Sequence, residues 1–176
     1  AILKEMSVMD KKKVFEILGP GRRAPRDYQF APLHMVFDVK DDGTHKARFV
    51  AGGHVVDSTH LAAYASVMKS SNLRILLTIA AKFDLEVYTG DVGGAYLNAN
   101  TRENVYSRCG AEFGSRKGQV VLIRKALYGL ASSASAWWDH LATSLRNIGF
   151  TNTSVDNDVW MKKVNDKDGN LIGYDY

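Results

Sequence analysis

The sequence contains few of the residues that cross-link a polypeptide chain or embed it in a membrane. One cysteine, Cys109, in 176 residues excludes an internal disulfide and favours a reducing compartment. The longest apolar run, residues 75–81, is interrupted by Thr78 and is too short to span a bilayer. Charged residues interrupt the first apolar stretch, at Lys4 and at residues 10–13, so we expect no secretory signal.

Several familiar catalytic signatures are also missing. The sequence has no phosphate-binding loop of the form GxxxxGK[ST], no HExxH or CxxC, and no GxSxG. Its five histidines are scattered, so a zinc site is not expected. Apolar residues make up 45% of the chain and charged residues 24%, which excludes a disordered tail or a collagen-like fibre. The length suits one domain, or slightly more.

The small positive charge of the chain is concentrated in one segment. The formal net charge is +4, which is too small by itself to indicate a nucleic-acid partner. Residues 101–135 hold six Lys and Arg residues against two Glu, which accounts for the whole excess. This segment is therefore the predicted basic face of the protein.

The clearest local pattern in the first third of the chain is a β-hairpin. Residues 35–39 and 47–51 are rich in β-forming side chains, and Asp-Asp-Gly at 41–43 is a strong turn signal. Lys46 and Arg48 are two positions apart on the second strand and therefore share a face. A pair of cations on one face is also what a solvated sheet surface shows.

The remaining pattern alternates helices with short strands. A core helix capped by Ser70 or Ser71 is predicted to end near Phe83, and a second amphipathic helix is predicted over residues 134–148. Before residue 31 we expect a frayed helix or strand and then a loop. Strands are predicted at residues 86–91, 104–109, 119–124 and 159–161. This order predicts an α+β fold with antiparallel sheets rather than a doubly wound nucleotide-binding fold.

Asp91 is the candidate catalytic residue. It ends a predicted strand and precedes Gly93 and Gly94, where the backbone can approach a ligand closely. A carboxylate there could hold Mg²⁺ together with substrate phosphates and, in a two-metal site, bridge both ions. Tyr96 lies five residues further on and could place its ring beside the ligand. The alternative is that Asp91 is an ordinary turn or capping residue.

Five blocks of sequence occur in an order and at a spacing typical of one known family. They are residues 34–40 (HMVFDVK), 46–54 (KARFVAGGH), 91–98 (DVGGAYLN), 124–130 (RKALYGL) and 156–161 (DNDVWM). The combination of the third and fourth blocks is highly specific. On these blocks the chain resembles the reverse transcriptase domain of copia-type retrotransposon polyproteins, from about residue 34 to its end.

The resemblance implies a right-hand polymerase made of fingers and palm. Residues 1–86 would form the first part of the fingers, with the hairpin at about 35–51, and residues 98–134 a second, basic part. Residues 87–97 would carry the palm strand with the first catalytic aspartate. Residues 135–176 would form an incomplete palm, whose antiparallel sheet is backed by helices.

The resemblance also implies roles for individual residues. Asp91 matches the family's first metal-binding aspartate, and the expected cofactor is Mg²⁺ or Mn²⁺. Tyr96 matches the residue that packs under the nucleotide sugar and excludes a 2′-hydroxyl, which is specificity by a clash with the wrong substrate. The remaining nucleotide contacts are assigned to Lys46, Arg48, Val92, Tyr128 and Gly129. Which of the two cations reaches the triphosphate stays open.

The partners implied by the resemblance are an RNA or DNA template–primer and a dNTP, without a membrane. The basic residues expected to face the nucleic-acid backbone are Arg116, Lys117, Arg124 and Lys125, through contacts that are blind to sequence. Protease, integrase and RNase H domains are expected in the parent polyprotein. The implied location is intracellular, in a cytoplasmic virus-like particle and, as a further site, the nucleus.

The sequence departs from the family pattern after the ALYGL block and at its end. Ala131 stands where the family usually has lysine. The family's second metal site, a Tyr-x-Asp-Asp turn, is expected beyond the last residue, and Asp156 and Asp158 are expected to be structural turn residues. One aspartate cannot hold two divalent ions. We therefore expect this chain alone to lack polymerase activity.

Two other functions remain open at this point. The chain could be a non-catalytic, decayed or repurposed element that keeps the fold and binds nucleic acid. It could also be a structural fragment without a partner. Binding that weakens steeply with salt separates these two alternatives.

Overall fold

A computed structural model describes all 176 residues, and they form two units that interleave along the chain. The first unit comprises residues 1–64 and 94–137, and the second comprises residues 65–93 and 138–176. Both contain helix and antiparallel sheet, so the predicted α+β class is confirmed. The finer division into fingers and palm stays a prediction. No helix is long and apolar enough to cross a membrane.

The first unit is built on a four-stranded sheet and a separate hairpin. It opens with helix α1 (Ile2–Lys11). The strands of the sheet are β1 (Phe15–Ile17), β2 (Gln29–Phe30), β5 (Val105–Arg108) and β6 (Val120–Ile123). They lie in the order β1-β6-β5-β2, in which only the β2–β5 pair is parallel. The predicted strands at 104–109 and 119–124 are thus confirmed, and the first thirty residues combine a helix with two short strands.

The predicted hairpin is confirmed. Strands β3 (Leu33–Val39) and β4 (His45–Ala51) pair antiparallel over their full length. The Asp42 carboxylate accepts a hydrogen bond of 2.9 Å from the Thr44 amide, and Gly43 has a φ of 77°. A left-handed glycine after two aspartates is the turn chemistry that the sequence indicates.

Aromatic packing holds the core of the first unit together. Phe49 on β4 is fully buried, and its ring centre lies 5.2 Å from that of Phe15 and 5.8 Å from that of Phe113. Met9 of α1 and Leu127 join the same buried cluster. The core therefore ties α1, the hairpin and the sheet to the segment that carries the ALYGL block. Truncating a buried aromatic of this kind costs about 3–5 kcal/mol.

The second unit combines two helices with a three-stranded antiparallel sheet. Helix α2 spans Ser70–Lys82, and helix α3 spans Ser133–Asn147 with its first turn in the first unit. Gly149, at a φ of 94°, follows the end of α3 as predicted. The sheet has the order β7-β8-β9, from Thr151–Asn152, Trp160–Asn165 and Leu171–Asp175.

Two predictions for the segment from residue 70 to residue 93 are wrong. Helix α2 forms, but none of its residues is buried, and Leu73, Ile75 and Leu77 are 44–56% exposed, so it is not a core helix. Residues 86–91 form no strand. A strand is stable only when neighbouring backbone groups pair with it, and this exposed segment has no partner strand.

The N-terminus of α2 is held by a distant carboxylate rather than by the predicted serine cap. Neither Ser70 nor Ser71 caps the helix, and the N-cap position is Lys69. Asp156 accepts hydrogen bonds from the Lys69 amide at 3.2 Å and from the Asn72 side chain at 2.6 Å. Three hydrogen bonds lower the pKa of Asp156. The largest effect comes from the Asp158 amide, followed by the Asn72 side chain and then the Lys69 amide. The predicted structural role of Asp156 is confirmed.

Asp158 is structural as well. Its carboxylate accepts a hydrogen bond of 2.6 Å from the indole nitrogen of Trp138 on α3. An indole N–H that packs in a partly buried position usually finds such an acceptor. The turn between β7 and β8 is therefore tied to α3 through Asp158 and to α2 through Asp156.

Two glycines allow the ALYGL segment to dock against the end of β4. A Cβ atom on Gly53 would overlap the carbonyl oxygen of Gly129, and a Cβ on Gly129 would overlap the carbonyl oxygen of Ala51. Gly129 also has a φ of 90°, which is the left-handed region. The two backbones can approach this closely only because neither glycine has a side chain.

We expect Gly53→Ala to destabilise the protein by about 2 kcal/mol or more, since the new methyl group meets rigid backbone. Urea denaturation followed by circular dichroism measures the effect. Gly93→Ala is the control, because nothing lies within 4 Å of its Cβ position, and its effect should stay within about 0.5 kcal/mol. Equal denaturation midpoints for the two variants would show that the close approach is not required.

Candidate functional site

Strand β4 presents the two predicted cations on one face. Ala47, Phe49 and Ala51 are buried, whereas Lys46 and Arg48 are only half-buried. Because side chains alternate along a strand, both cations lie on the face opposite the core. The prediction that they share a face is confirmed.

The two cations have different neighbours on that face. Asp38 of β3 lies directly opposite Lys46, and Val36 lies directly opposite Arg48. Cross-strand partners have Cβ atoms about 5 Å apart, so Lys46 stands beside a carboxylate and Arg48 beside an apolar side chain. The guanidinium carbon of Arg48 lies 5.9 Å from the centre of the Tyr128 ring, which is within cation–π range.

Tyr128 is anchored through its backbone and leaves its ring exposed. Its carbonyl accepts a hydrogen bond of 2.8 Å from the Ala51 amide, and it forms a parallel bridge with Val50. Leu127 and Leu130, on either side, are buried. The Tyr128 side chain remains 44% exposed, so the docked segment presents an aromatic ring at the end of the hairpin.

Tyr96 lies against the same ring. It belongs to a single 3₁₀ turn, Ala95–Asn98, that follows the left-handed Gly94 and is held by the buried Leu97. The ring centres of Tyr96 and Tyr128 are 5.0 Å apart at an interplanar angle of 47°, an ordinary geometry for an aromatic pair. The structure therefore brings Arg48, Tyr96 and Tyr128 together, with Gly129 beside them.

Asp91 and Val92 belong to the second unit. Both are exposed, and the segment from residue 85 to residue 92 has no regular secondary structure. In the whole chain no group of three or more His, Cys, Asp or Glu residues could hold a metal ion. One carboxylate does not fit a pair of divalent ions, so these residues by themselves do not form a two-metal centre.

The four basic residues predicted to face nucleic acid form two separate pairs. Arg116 and Lys117 are exposed beside the 3₁₀ segment that ends at Arg116, whereas Arg124 and Lys125 follow β6. The four-residue strand between the pairs is about 13 Å long. They therefore flank β6 rather than forming one cluster.

The Arg124 guanidinium already has an ion-pair partner and a hydrogen-bond partner. Its Nε and one terminal nitrogen each lie 2.7 Å from the Glu16 carboxylate, and it also donates to the Tyr28 hydroxyl. Lys125 donates to the Asn100 side chain at 2.8 Å. Exposed ion pairs such as Arg124–Glu16 contribute at most about 1 kcal/mol, so this pair leaves the arginine able to exchange partners.

One known protein family matches nearly the whole chain. The family model described as reverse transcriptase (RNA-dependent DNA polymerase) matches residues 15–174. The chain belongs to this reverse transcriptase family. The match is to the copia-type group and takes in the hairpin, Tyr96 and the ALYGL segment. Reverse transcriptase domains generally use divalent metal ions and bind a nucleic-acid template.

The sequence does not predict that one carboxylate of this reverse transcriptase domain is buried. Glu103 is 5% exposed, and it accepts hydrogen bonds from the Ser132 amide (2.8 Å), the Ser132 hydroxyl (2.7 Å) and the Thr101 hydroxyl (2.8 Å). Burial raises the pKa of Glu103, but these hydrogen bonds outweigh it and leave the pKa below its usual value. In sequence Glu103 looks like any surface charge, because its partner lies 29 residues away.

Glu5 of α1 also reaches the candidate site. Its carboxylate accepts a hydrogen bond of 3.3 Å from the Phe49 amide of β4. Burial raises the pKa of Glu5, and the Phe49 hydrogen bond and the nearby Arg48 and Lys46 oppose the shift only in part. No motif predicts this contact, which depends on how α1 packs on the hairpin.

We expect Glu103→Gln to lower the free energy of unfolding at pH 7 by about 1–3 kcal/mol, since two hydroxyls lose their charged acceptor. The folded-state pKa of Glu103 lies below the unfolded value of about 4.3. Its stabilising effect is therefore present above pH ~4.3 and is lost as the pH falls towards the folded-state value. The urea midpoints of wild type and variant should therefore differ at pH 7 and converge at pH 3.

Glu112→Gln serves as the control for this measurement, since it removes the same charge outside the hydrogen-bonded group. Its unfolding free energy should differ from wild type by the same small amount at both pH values. A constant gap between wild type and Glu103→Gln across the pH range would contradict the assignment of an ionised, hydrogen-bonded Glu103.

Proposed function

We propose that this chain supplies the nucleotide- and template-handling part of an RNA-directed DNA polymerase in a copia-type retrotransposon polyprotein. The complete protein would carry out two-metal nucleotidyl transfer. The observation that carries this proposal is the grouping of Arg48, Tyr96 and Tyr128 on an exposed surface of the first unit. Membership of the reverse transcriptase family supports it.

The chemistry of these side chains suits a deoxynucleoside triphosphate. A guanidinium can donate two parallel hydrogen bonds to a phosphate group. An exposed aromatic ring offers a face for a sugar or a base. In the proposed role Tyr96 lies under the sugar and rejects a 2′-hydroxyl by steric clash. Gly129, packed against the Ala51 carbonyl, holds the backbone beside the Tyr128 ring.

Arg48 rather than Lys46 is our proposed triphosphate ligand. Lys46 stands opposite Asp38, which competes for its charge, whereas Arg48 stands opposite Val36 and next to Tyr128. Glu5 lies near both cations, so Asp38 is the carboxylate that distinguishes them. The cation with fewer carboxylate neighbours has more of its charge available for a phosphate. Lys46 would then add only to the general positive potential of the hairpin.

Arg48→Ala should weaken binding of a dNTP by about tenfold, because hydrogen bonds between charged groups contribute roughly 1.5–3 kcal/mol. Lys46→Ala, the matched control two residues away on the same face, should weaken it by less than about threefold. Titration of the ¹⁵N-labelled chain with dTTP, followed by NMR, gives both affinities and the residues that respond. A larger loss for Lys46→Ala would reverse the assignment.

The two basic pairs are proposed contacts for the backbone of the template–primer. Their positions on either side of β6 would let them meet phosphates at separate points along a duplex. Arg116 and Lys117 are exposed, whereas Arg124 would have to exchange Glu16 for a phosphate. We therefore expect the first pair to contribute more to binding than the second.

Charge reversal tests this assignment. The double variant Arg116→Glu/Lys117→Glu should reduce the salt dependence of template–primer binding by about two phosphate contacts, each changing the slope by about 0.9. Arg124→Glu/Lys125→Glu should reduce it by less. Fluorescence anisotropy between 50 and 200 mM salt, values chosen to bracket the steep part of such curves, measures both slopes. Unchanged slopes in both variants would refute the proposed surface.

The remaining roles rest on family membership alone. Asp91 is the proposed first metal ligand, for Mg²⁺ or Mn²⁺, with Val92 beside it in the nucleotide site. Protease, integrase and RNase H are the proposed neighbours in the polyprotein. The proposed setting is a cytoplasmic virus-like particle, with the nucleus as a further location.

A non-catalytic role is the second candidate, and one observation favours it. Ala131 stands where the family usually carries a lysine next to the ALYGL block. A decayed or repurposed element could keep nucleic-acid binding without synthesis. Primer extension by the complete protein on an RNA template distinguishes the two functions, because only the enzyme would lose incorporation on Asp91→Asn.

A further inference from the structure

Glu103 is the only carboxylate among the buried side chains of the chain. The other buried polar residues are serines, and two of them, Ser132 and Ser133, are 0% and 2% exposed. A buried carboxylate is costly unless hydrogen bonds replace its water. The three hydrogen bonds of Glu103 meet that requirement, and two of them come from Ser132.

These hydrogen bonds close a loop that carries Tyr128. At the start of the loop the Ala126 amide donates to the Ala99 carbonyl at 3.0 Å. At its end the backbone amide and hydroxyl of Ser132 both donate to Glu103. Residues 126–132 are therefore fastened at both ends to one segment, residues 99–103. We name this the Tyr128 loop.

The same segment also holds Tyr96. The Ala99 amide donates to the Tyr96 carbonyl at 3.0 Å, and Tyr96 packs against the buried Ala99 and Ala126. The two rings of the candidate nucleotide site therefore depend on one short segment, with Tyr96 before it and the Tyr128 loop attached to it. Residue 103 lies at the end of this segment to which the Tyr128 loop is attached.

We propose that Glu103 is a positioning residue for the nucleotide site, which fixes the Tyr128 ring against Tyr96 and Arg48 by holding Ser132. This inference rests on the proposed nucleotide site for its functional meaning. Its structural part, the control of the Tyr128 loop by Glu103, is open to a separate measurement.

A simpler role for Glu103 would be to stabilise the N-terminus of α3, because Ser132 directly precedes that helix. In that case loss of Glu103 would loosen the first turn of α3 and leave the rings in place. The positioning role requires that the loop amides before Ser132 and the contact between Tyr96 and Tyr128 also change. The two roles therefore differ in which residues respond.

The experiment compares wild type, Glu103→Ala, Glu103→Gln and the control Glu112→Gln. Glutamine keeps an acceptor for the Ser132 amide and presents an NH₂ group to hydroxyls that can rotate to accept, so it should restore most of the geometry. Hydrogen exchange and the NOE between the Tyr96 and Tyr128 rings are recorded first without nucleotide. We expect faster exchange at residues 127–130 and a weaker NOE in Glu103→Ala, with both largely restored in Glu103→Gln.

Titration with dTTP then connects the geometry to binding. Affinity should fall on the order of tenfold in Glu103→Ala, comparable with the loss of other outer-shell partners, and recover in Glu103→Gln. An unchanged loop and NOE in Glu103→Ala, or changes confined to α3, would overturn the inference. If Glu103→Ala does not fold, Glu103→Asp decides, because it keeps the charge but shortens the side chain by one methylene and withdraws the carboxylate from Ser132. An altered loop with α3 intact then supports the inference, and an unaltered loop contradicts it.

A failure of the proposed function would have a different signature. Wild type would then not bind dTTP, although the loop and the ring contact would still respond to Glu103→Ala. A wild type that binds dTTP with an affinity insensitive to a displaced Tyr128 loop would instead contradict the positioning role alone.

Discussion

The docking of the ALYGL segment onto the end of strand β4 is the constraint on which the first unit depends. Gly53 and Gly129 let two backbones meet where a Cβ on either would overlap a carbonyl oxygen. The hydrogen bond from the Ala51 amide to the Tyr128 carbonyl fixes the register of that meeting. Close-packed backbone resists displacement, so this docking places the Tyr128 backbone from which the exposed ring projects.

The candidate site is assembled from elements far apart in sequence. Arg48 comes from the hairpin, Tyr96 from a 3₁₀ turn, and Tyr128 from the loop that Glu103 closes. Each contributes through a half-buried or exposed side chain on a backbone that is itself anchored in the core. Such an arrangement presents charge and aromatic surface to a ligand, while the atoms that support these side chains are buried. Binding-site geometry is precise when it is supported by packed residues in this way.

Local elements with strong chemical signals were predictable. The hairpin has its Asp-Asp-Gly turn, and α3 has an apolar stripe and a terminal glycine, so both formed where they were expected. The predictions of a strand at residues 86–91 and of a buried face on α2 were wrong for one shared reason. Both depend on a partner surface, and neither β-propensity nor helical periodicity contains information about whether that surface is present.

The sequence by itself determined the family, the α+β class, the shared face of Lys46 and Arg48, and the structural roles of Asp156 and Asp158, because these follow from local spacing or from motifs that few other folds contain. Only the tertiary structure decided that Arg48 faces Tyr128 while Lys46 faces Asp38, and that Glu103 is buried beneath the Tyr128 loop. It also placed four of the six basic residues of the segment 101–135 as two pairs on either side of β6. Strand register, burial and ion pairing join residues more than a hundred positions apart, as in Arg124–Glu16. The single cysteine and the short apolar runs noted at the outset place no restriction on such contacts.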